Sequence, residues 1–335
     1  MAVLYVASQE EGAGKTALCA TLASTAAAQG HRTAVFKPLA GKDRVLESDP
    51  DPGIYTGLLG QATEGWPVTA SNGGLDGDTL RRIETVFADV STGADAVIVE
   101  GSCALSGEET RQLVDTLDAR VLVVAAYSRD LTASALAGWK AQVGERLTGV
   151  LVNGCTRHML HEAATSLVPS LKSEGLTGFG LVPEDRRLLG VTVRQLADHL
   201  DGRFVACEQE AGALVEHLMV GGMGMDPGEY YFGQRENKAV IARGDRPDLH
   251  MSALATPTAC MVLTKGIDPI EYIKYEAEQE EVSVMVVETD TLETMGAVDS
   301  LIDRARFDHP LKLERYRYLL EQHADLPELL GLLGV

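Results

Sequence analysis

The chain has 335 residues, of which 45% are hydrophobic, 23% charged and 5% aromatic, a balance that suits one or two buried cores and excludes a disordered chain. Its formal net charge of −20 repels phosphate backbones and anionic lipid, so nucleic-acid and membrane partners are not expected. No apolar run is long enough to cross a bilayer, and the five cysteines are scattered in apolar or Gly-rich settings, which fits a reducing, cytoplasmic compartment better than a disulfide framework.

In chain order, the N-terminal MAVLYVASQEEG has no basic region of a signal peptide and reads as a first buried strand over Ala2–Ala7. A helix is predicted from Lys15 to Gln29, stopped at Gly30. Strands follow at 33–38, 95–101, 120–126, 148–154 and 177–183, with loop and short helix between Asp49 and Ser71. These strands are apolar throughout rather than alternating, the mark of a parallel sheet covered on both faces. A second, smaller α/β rhythm starts after Arg203, with strands at 238–244, 259–266 and 282–288 and helices at 247–254 and 269–281. A charged amphipathic helix, 311–323, closes it; its acids and bases suggest a solvated face, with Tyr316, Tyr318 and the leucines packing or meeting another subunit. The expected domains are therefore 1–203 and 204–335.

Residues 7–16, ASQEEGAGKT, lie between the first strand and the first helix, where a phosphate-binding loop belongs. Gly12, Ala13 and Gly14 let backbone amides face a phosphate, Lys15 supplies a point charge and Thr16 a hydroxyl for Mg²⁺. Gln9 stands where the strict G-x-x-x-x-G-K-[ST] pattern has glycine. Glu100 ends the third strand and is the expected Mg²⁺ carboxylate, with Gly101 leaving room for phosphates. Asp49 and Asp51 are candidates for a second carboxylate or for turn formation. Lys37 ends the second strand, on the edge where doubly wound sheets bind ligands.

GAGKT (Gly12–Thr16), FKP (Phe36–Pro38), VEG (Val99–Gly101) and VNG (Val152–Gly154) together resemble the dethiobiotin synthetase-like amidoligases, a group that includes cobyrinic acid a,c-diamide synthase. The resemblance implies ATP and Mg²⁺ at Lys15, Thr16 and Glu100, a catalytic position for Lys37 beside acyl-phosphate chemistry, and contact of Asn153 with the base. Ser102–Leu105 departs from the Gly-rich segment that follows VEG in that group. In the second half GDRPD (Gly244–Asp248), LTKG (Leu263–Gly266), VETDTLET (Val287–Thr294) and the preceding VGGMG (Val220–Gly224) resemble the DRTGG domain. The two in this order resemble the N-terminal region of long-form phosphate acetyltransferases. The acetyltransferase catalytic region does not follow, so that activity is not expected.

The fold expected is thus α/β: a P-loop NTPase-type parallel sheet wrapped by helices, then a smaller DRTGG-like α/β domain. The function expected is an ATP- and Mg²⁺-dependent regulatory protein or sensor, a homodimer or partner of another protein; the alternative is an ATP-dependent carboxylate-activating ligase. A slow ATPase switch lies between the two. Cys155, His158 and His161 read as a strand end and helix start rather than a metal site. Arg246, between Asp245 and Asp248, reads as an ion pair fixing its loop or as an anion-binding turn.

Overall fold

The six apolar runs of the N-terminal half lie side by side, as strands buried on both faces must. In this computed structural model, which describes residues 1–40, 49–68, 75–222, 228–302 and 305–335, they are β1 (Ala2–Ala7), β2 (Thr33–Phe36), β3 (Ala96–Glu100), β4 (Arg120–Ala126), β5 (Leu147–Cys155) and β6 (Gly178–Pro183). Their order is β2-β3-β1-β4-β5-β6, every pairing parallel. The chain moves to one side of β1 for β2 and β3 and to the other side for β4. Such a reversal opens a crevice at the carboxyl end of the central strand. In register, Val6 stands opposite Glu100 and Ala7 opposite Val123, so the ends of β3 and β4 flank that crevice.

The helices of this unit are α1 (Lys15–Ala28), α2 (Asp51–Leu59), α3 (Gly77–Ser91), α4 (Gly107–Thr116), α5 (Ala133–Val143) and α6 (Leu160–Ser173). Small residues dominate α1, and it is buried almost all round, including Ala17, Leu18, Ala20, Leu22 and Ala23, as a core helix requires. A capping box starts α4: the Ser106 hydroxyl accepts from the Glu109 amide, and the Glu109 carboxylate accepts from the Ser106 amide. The predicted loop and short helix of 49–71 contain α2, and residues 69–71 lie outside the described residues.

Residues 186–306 form a second compact unit. It contains β7 (Val191–Thr192), α7 (Val193–Leu200), β8 (Arg203–Ala206), β9 (Leu214–Val215), β10 (His217–Gly221), α8 (Gly228–Phe232), β11 (Lys238–Arg243), α9 (Pro247–Leu254), β12 (Thr258–Thr264), α10 (Glu271–Gln279), β13 (Ser283–Val286) and α11 (Thr291–Ile302). Its main sheet runs β10-β11-β12-β13-β8, with β8 antiparallel to β13. Apolar side chains cover both faces, Ile241, Val262 and Met285 on one and Val240, Met261 and Val284 on the other. The VGGMG stretch begins at the end of β10, and its Met223 and Gly224 lie outside the described residues.

The expected division at 203/204 is corrected by the packing. Unit 1 is residues 1–185 together with 307–335, and unit 2 is the segment between them. The last two helices, α12 (Pro310–His323) and α13 (Leu326–Gly331), pack on α1 and β6. Tyr316, Leu319, Leu320, Leu329, Leu330 and Leu333 are all buried there. The 311–323 pattern therefore closes the first core rather than the second, while Tyr318 on the same helix is exposed. The Arg315 guanidinium donates to Asp185 Oδ2 at 2.8 and 2.5 Å, joining the two places where unit 2 leaves and re-enters unit 1.

Candidate functional site

The loop from Ser8 to Gly14 leaves β1 and enters α1 without a side-chain cap, so amides of the first helical turn face outward, the arrangement that receives an anion. Gly14 has φ 97°, and a Cβ there would overlap the Asn153 side-chain amide; only glycine fits this corner. Lys15 is buried, and its ammonium donates to Ser8 Oγ at 2.7 Å and Cys103 Sγ at 3.1 Å. Ser8 Oγ in turn donates to the Glu10 carbonyl at 2.6 Å.

Thr16, one position on, donates to Glu100 Oε1 at 2.9 Å. The other carboxylate oxygen accepts from the Tyr55 hydroxyl, which α2 presents and Trp66 backs with ring centroids 6.0 Å apart. Burial, then the Asp51 carboxylate, raises the Glu100 pKa, while Lys37, Tyr55 and Lys15 pull the other way. Buried Lys37 is held between Asp49, at 2.8 Å, and Asp51. Burial alone lowers an ammonium's pKa, but Glu100, Asp51 and Asp49 outweigh it and leave Lys37 above its ordinary value.

Asn153 is fixed from both ends. Its Nδ2 donates to the Ala13 carbonyl at 2.8 Å, and its Oδ1 accepts from the Tyr316 hydroxyl at 3.1 Å. Tyr316 is itself buried and meets Phe307 edge to face at 5.9 Å.

The structure thus brings Gly12, Ala13, Gly14, Lys15 and Thr16 to Glu100 at one strand edge, with Asn153 touching the loop through Ala13. Asp49 pairs with Lys37. At Gly101 a Cβ would lie 2.7 Å from the Tyr5 ring, so the missing side chain makes room for Tyr5. Tyr55, Ser8, Cys103 and Tyr316 were not among the residues that the sequence assigned to the site, although Tyr316 was expected to pack or to meet another subunit. Asp51 and Tyr55 are four apart and share a helix face, a signal that was available; Tyr316 lies 163 residues from Asn153 and gave none. Arg246 pairs with Asp248 at 2.7 Å, the loop-fixing reading. Among the described residues no group of three or more His, Cys, Asp or Glu is arranged to hold a metal.

A Mg²⁺ ion keeps several waters and takes one or two protein oxygens plus phosphates rather than an all-protein cage. The Thr16 hydroxyl and Glu100 carboxylate, already within hydrogen-bond distance, are such oxygens. No helix among the described residues is long and apolar enough to cross a membrane.

Residues 195–301 match the DRTGG domain, and residues 2–191 match the AAA domain. Among solved structures, the chain is similar to the MinD cell division protein of Aquifex aeolicus, with 19% identity, 56% of this chain and 85% of that one covered, and a TM-score of 0.38. It is also similar to cobyrinic acid a,c-diamide synthase from Mycobacterium smegmatis with bound ADP and magnesium, with 17% identity, 56% and 88% coverage and a TM-score of 0.37. A third likeness is to the CBS and DRTGG domains of the regulatory region of Clostridium perfringens pyrophosphatase complexed with diadenosine tetraphosphate, with 13% identity, 45% and 75% coverage and a TM-score of 0.32. The parallel sheet, the loop entering α1 and a family match over more than half the chain lead to one conclusion: this chain belongs to the AAA domain family and carries a DRTGG domain within it.

Proposed function

We propose that unit 1 binds ATP with Mg²⁺ and that the protein is regulatory, nucleotide occupancy being read out as a change in self-association or in affinity for another protein. The observation that carries this reading is the Lys15–Thr16–Glu100 constellation at the carboxyl edge of β1 and β3. Lys15 and the amides opening α1 would hold the phosphates, Thr16 and Glu100 the Mg²⁺, and Asn153 would face the base. Bound Mg²⁺ would offset phosphate charge; the chain's own part is to position those oxygens and exclude water. The order of the two units supports kinship with the N-terminal region of long-form phosphate acetyltransferases.

The pairing of Lys37 with two carboxylates favours regulation over the ligase reading, because a lysine so neutralised offers little to charge developing on a transferred phosphoryl group. Calorimetric titration with ATP and ADP, with and without Mg²⁺, tests the site. Binding should need Mg²⁺ for full affinity and disappear in Lys15→Ala, with little phosphate released and with sedimentation altered by Mg–ATP. Rapid ADP release on adding a carboxylate or diamine acceptor would overturn the regulatory reading in favour of ligation, and absence of nucleotide binding would overturn both.

A further inference from the structure

The two oxygens of the Glu100 carboxylate are not equivalent. Oε1 accepts from the Thr16 hydroxyl at 2.9 Å, and Oε2 accepts from the Tyr55 hydroxyl. The first bond links the two groups that would hold Mg²⁺ under the nucleotide reading. The second has no part in that reading, although it ties a residue of α2 to the end of β3.

The Tyr55 phenol is held in place from several sides. The residue is fully buried, Trp66 lies against its ring at 6.0 Å, and Phe36 meets Trp66 edge on at the same distance. One turn earlier on α2, Asp51 pairs with Lys37, which fixes the start of the helix. Cys19 of α1 also meets the hydroxyl, but burial raises that thiol well above its ordinary value, so it stays neutral. A phenol has a single proton to give, and a carboxylate is a stronger acceptor than a thiol. Both partners are buried, so parting them leaves a polar group without water to replace the bond.

A carboxylate with one oxygen taken offers a cation only the other. That constraint falls unequally on the two common divalent cations. A small octahedral Mg²⁺ fills most of its shell with water and phosphate, so one carboxylate oxygen suffices. Ca²⁺ takes about six to eight oxygens in a looser shell and often grips a carboxylate by both. We infer that Tyr55 is a specificity-determining residue of this site: by holding Oε2 it keeps Glu100 a one-oxygen ligand and so favours Mg²⁺ over Ca²⁺ beside the nucleotide phosphates. The inference rests on the reading that Thr16 and Glu100 hold the metal. Tyr55 acts through Glu100 and is a positioning residue for it.

Calorimetry of ADP with the full chain, at Mg²⁺ or Ca²⁺ concentrations that saturate the nucleotide, reads the preference as a ratio of two dissociation constants. Native protein should bind ADP more tightly with Mg²⁺ than with Ca²⁺. Tyr55→Phe keeps the ring and removes the bond. The ratio should then fall about ten-fold, because gripping Glu100 by both oxygens no longer breaks a charge-assisted hydrogen bond. ADP affinity in EDTA should stay as in the native chain. A merely structural role would weaken ADP with either metal and in EDTA alike and leave the ratio alone; that result overturns the inference, as does a native chain with no preference. An infrared measurement needs no change at Tyr55. The carboxylate stretches of Glu100, assigned with Glu100→Gln, should show the one-oxygen pattern with Ca²⁺ as with Mg²⁺. A two-oxygen pattern with Ca²⁺ in the native chain overturns the inference even where Tyr55→Phe does not fold. Native protein that binds no ADP, or binds it equally with and without metal, overturns the underlying metal–nucleotide reading and this inference with it, a result distinct from an unchanged ratio.

Discussion

At the scale of single residues, the site is governed by how its charges answer one another out of water. Lys37 offsets Asp49 and Asp51 and lies near Glu100; removing it leaves buried like charges together. Lys37→Met should therefore cost about 3–5 kcal/mol in urea unfolding, and adding Asp51→Asn should recover part of that loss. Glu100 gives a pH dependence of defined sign. Its pKa in the folded chain is raised above 4.5, so the folded chain keeps a proton that the unfolded chain has released. The group's stabilising contribution is complete below that value and is lost as pH rises through the folded pKa. Native protein should lose stability relative to Glu100→Gln over that rise, and a constant difference between them would count against the raised value. Mg²⁺ competes for the same carboxylate, so its binding should tighten over the same interval. Lys15, Thr16 and Glu100 were legible in the sequence because a loop between strand and helix and an acid at a strand end are local patterns. The Lys37–Asp51 pairing was not, because it depends on how α2 folds back over β2.

At the scale of elements, the continuous apolar strands and the Ala-rich first helix declared themselves, since burial on both faces leaves no polar alternation to mislead. The short strands β8, β9 and β10 were missed because they are brief, and β8 and β10 are partly exposed as well. The most consequential difference concerns α12. Its charged face was readable; the direction of its buried face was not, because amphipathic spacing says which side is covered and not by what. Leu320 is fully buried in the contact of α12 with unit 1. Leu320→Ala should destabilise unit 1 by about 2–5 kcal/mol. Both tryptophans, Trp66 and Trp139, belong to unit 1, so their fluorescence during urea unfolding follows that unit, and an unshifted midpoint would deny α12 its place in the core.

At the scale of the whole molecule, one unit is interrupted by another. The Arg315–Asp185 pair and the Phe307–Tyr316 contact keep the flanks of the interruption close, and insertions between close ends are well tolerated. Replacing residues 186–306 with a short Gly/Ser linker should leave a folded protein that binds nucleotide as the full chain does. Cutting the chain after 306 should not, for it removes Tyr316 and the leucines of α12 and α13. Comparing the two by circular dichroism and ATP titration separates the covalent interruption from the missing core. The same arrangement sets a timetable on the ribosome. The phosphate loop is synthesised before unit 2, yet the tyrosine that steadies Asn153 and the helices that close the sheet emerge after all of unit 2, a delay of roughly ten seconds at ordinary elongation rates. A nascent chain stalled inside unit 2 would carry a finished phosphate loop on an unfinished core, so ligand capture by arrested chains of graded length should begin only once α12 has cleared the exit tunnel.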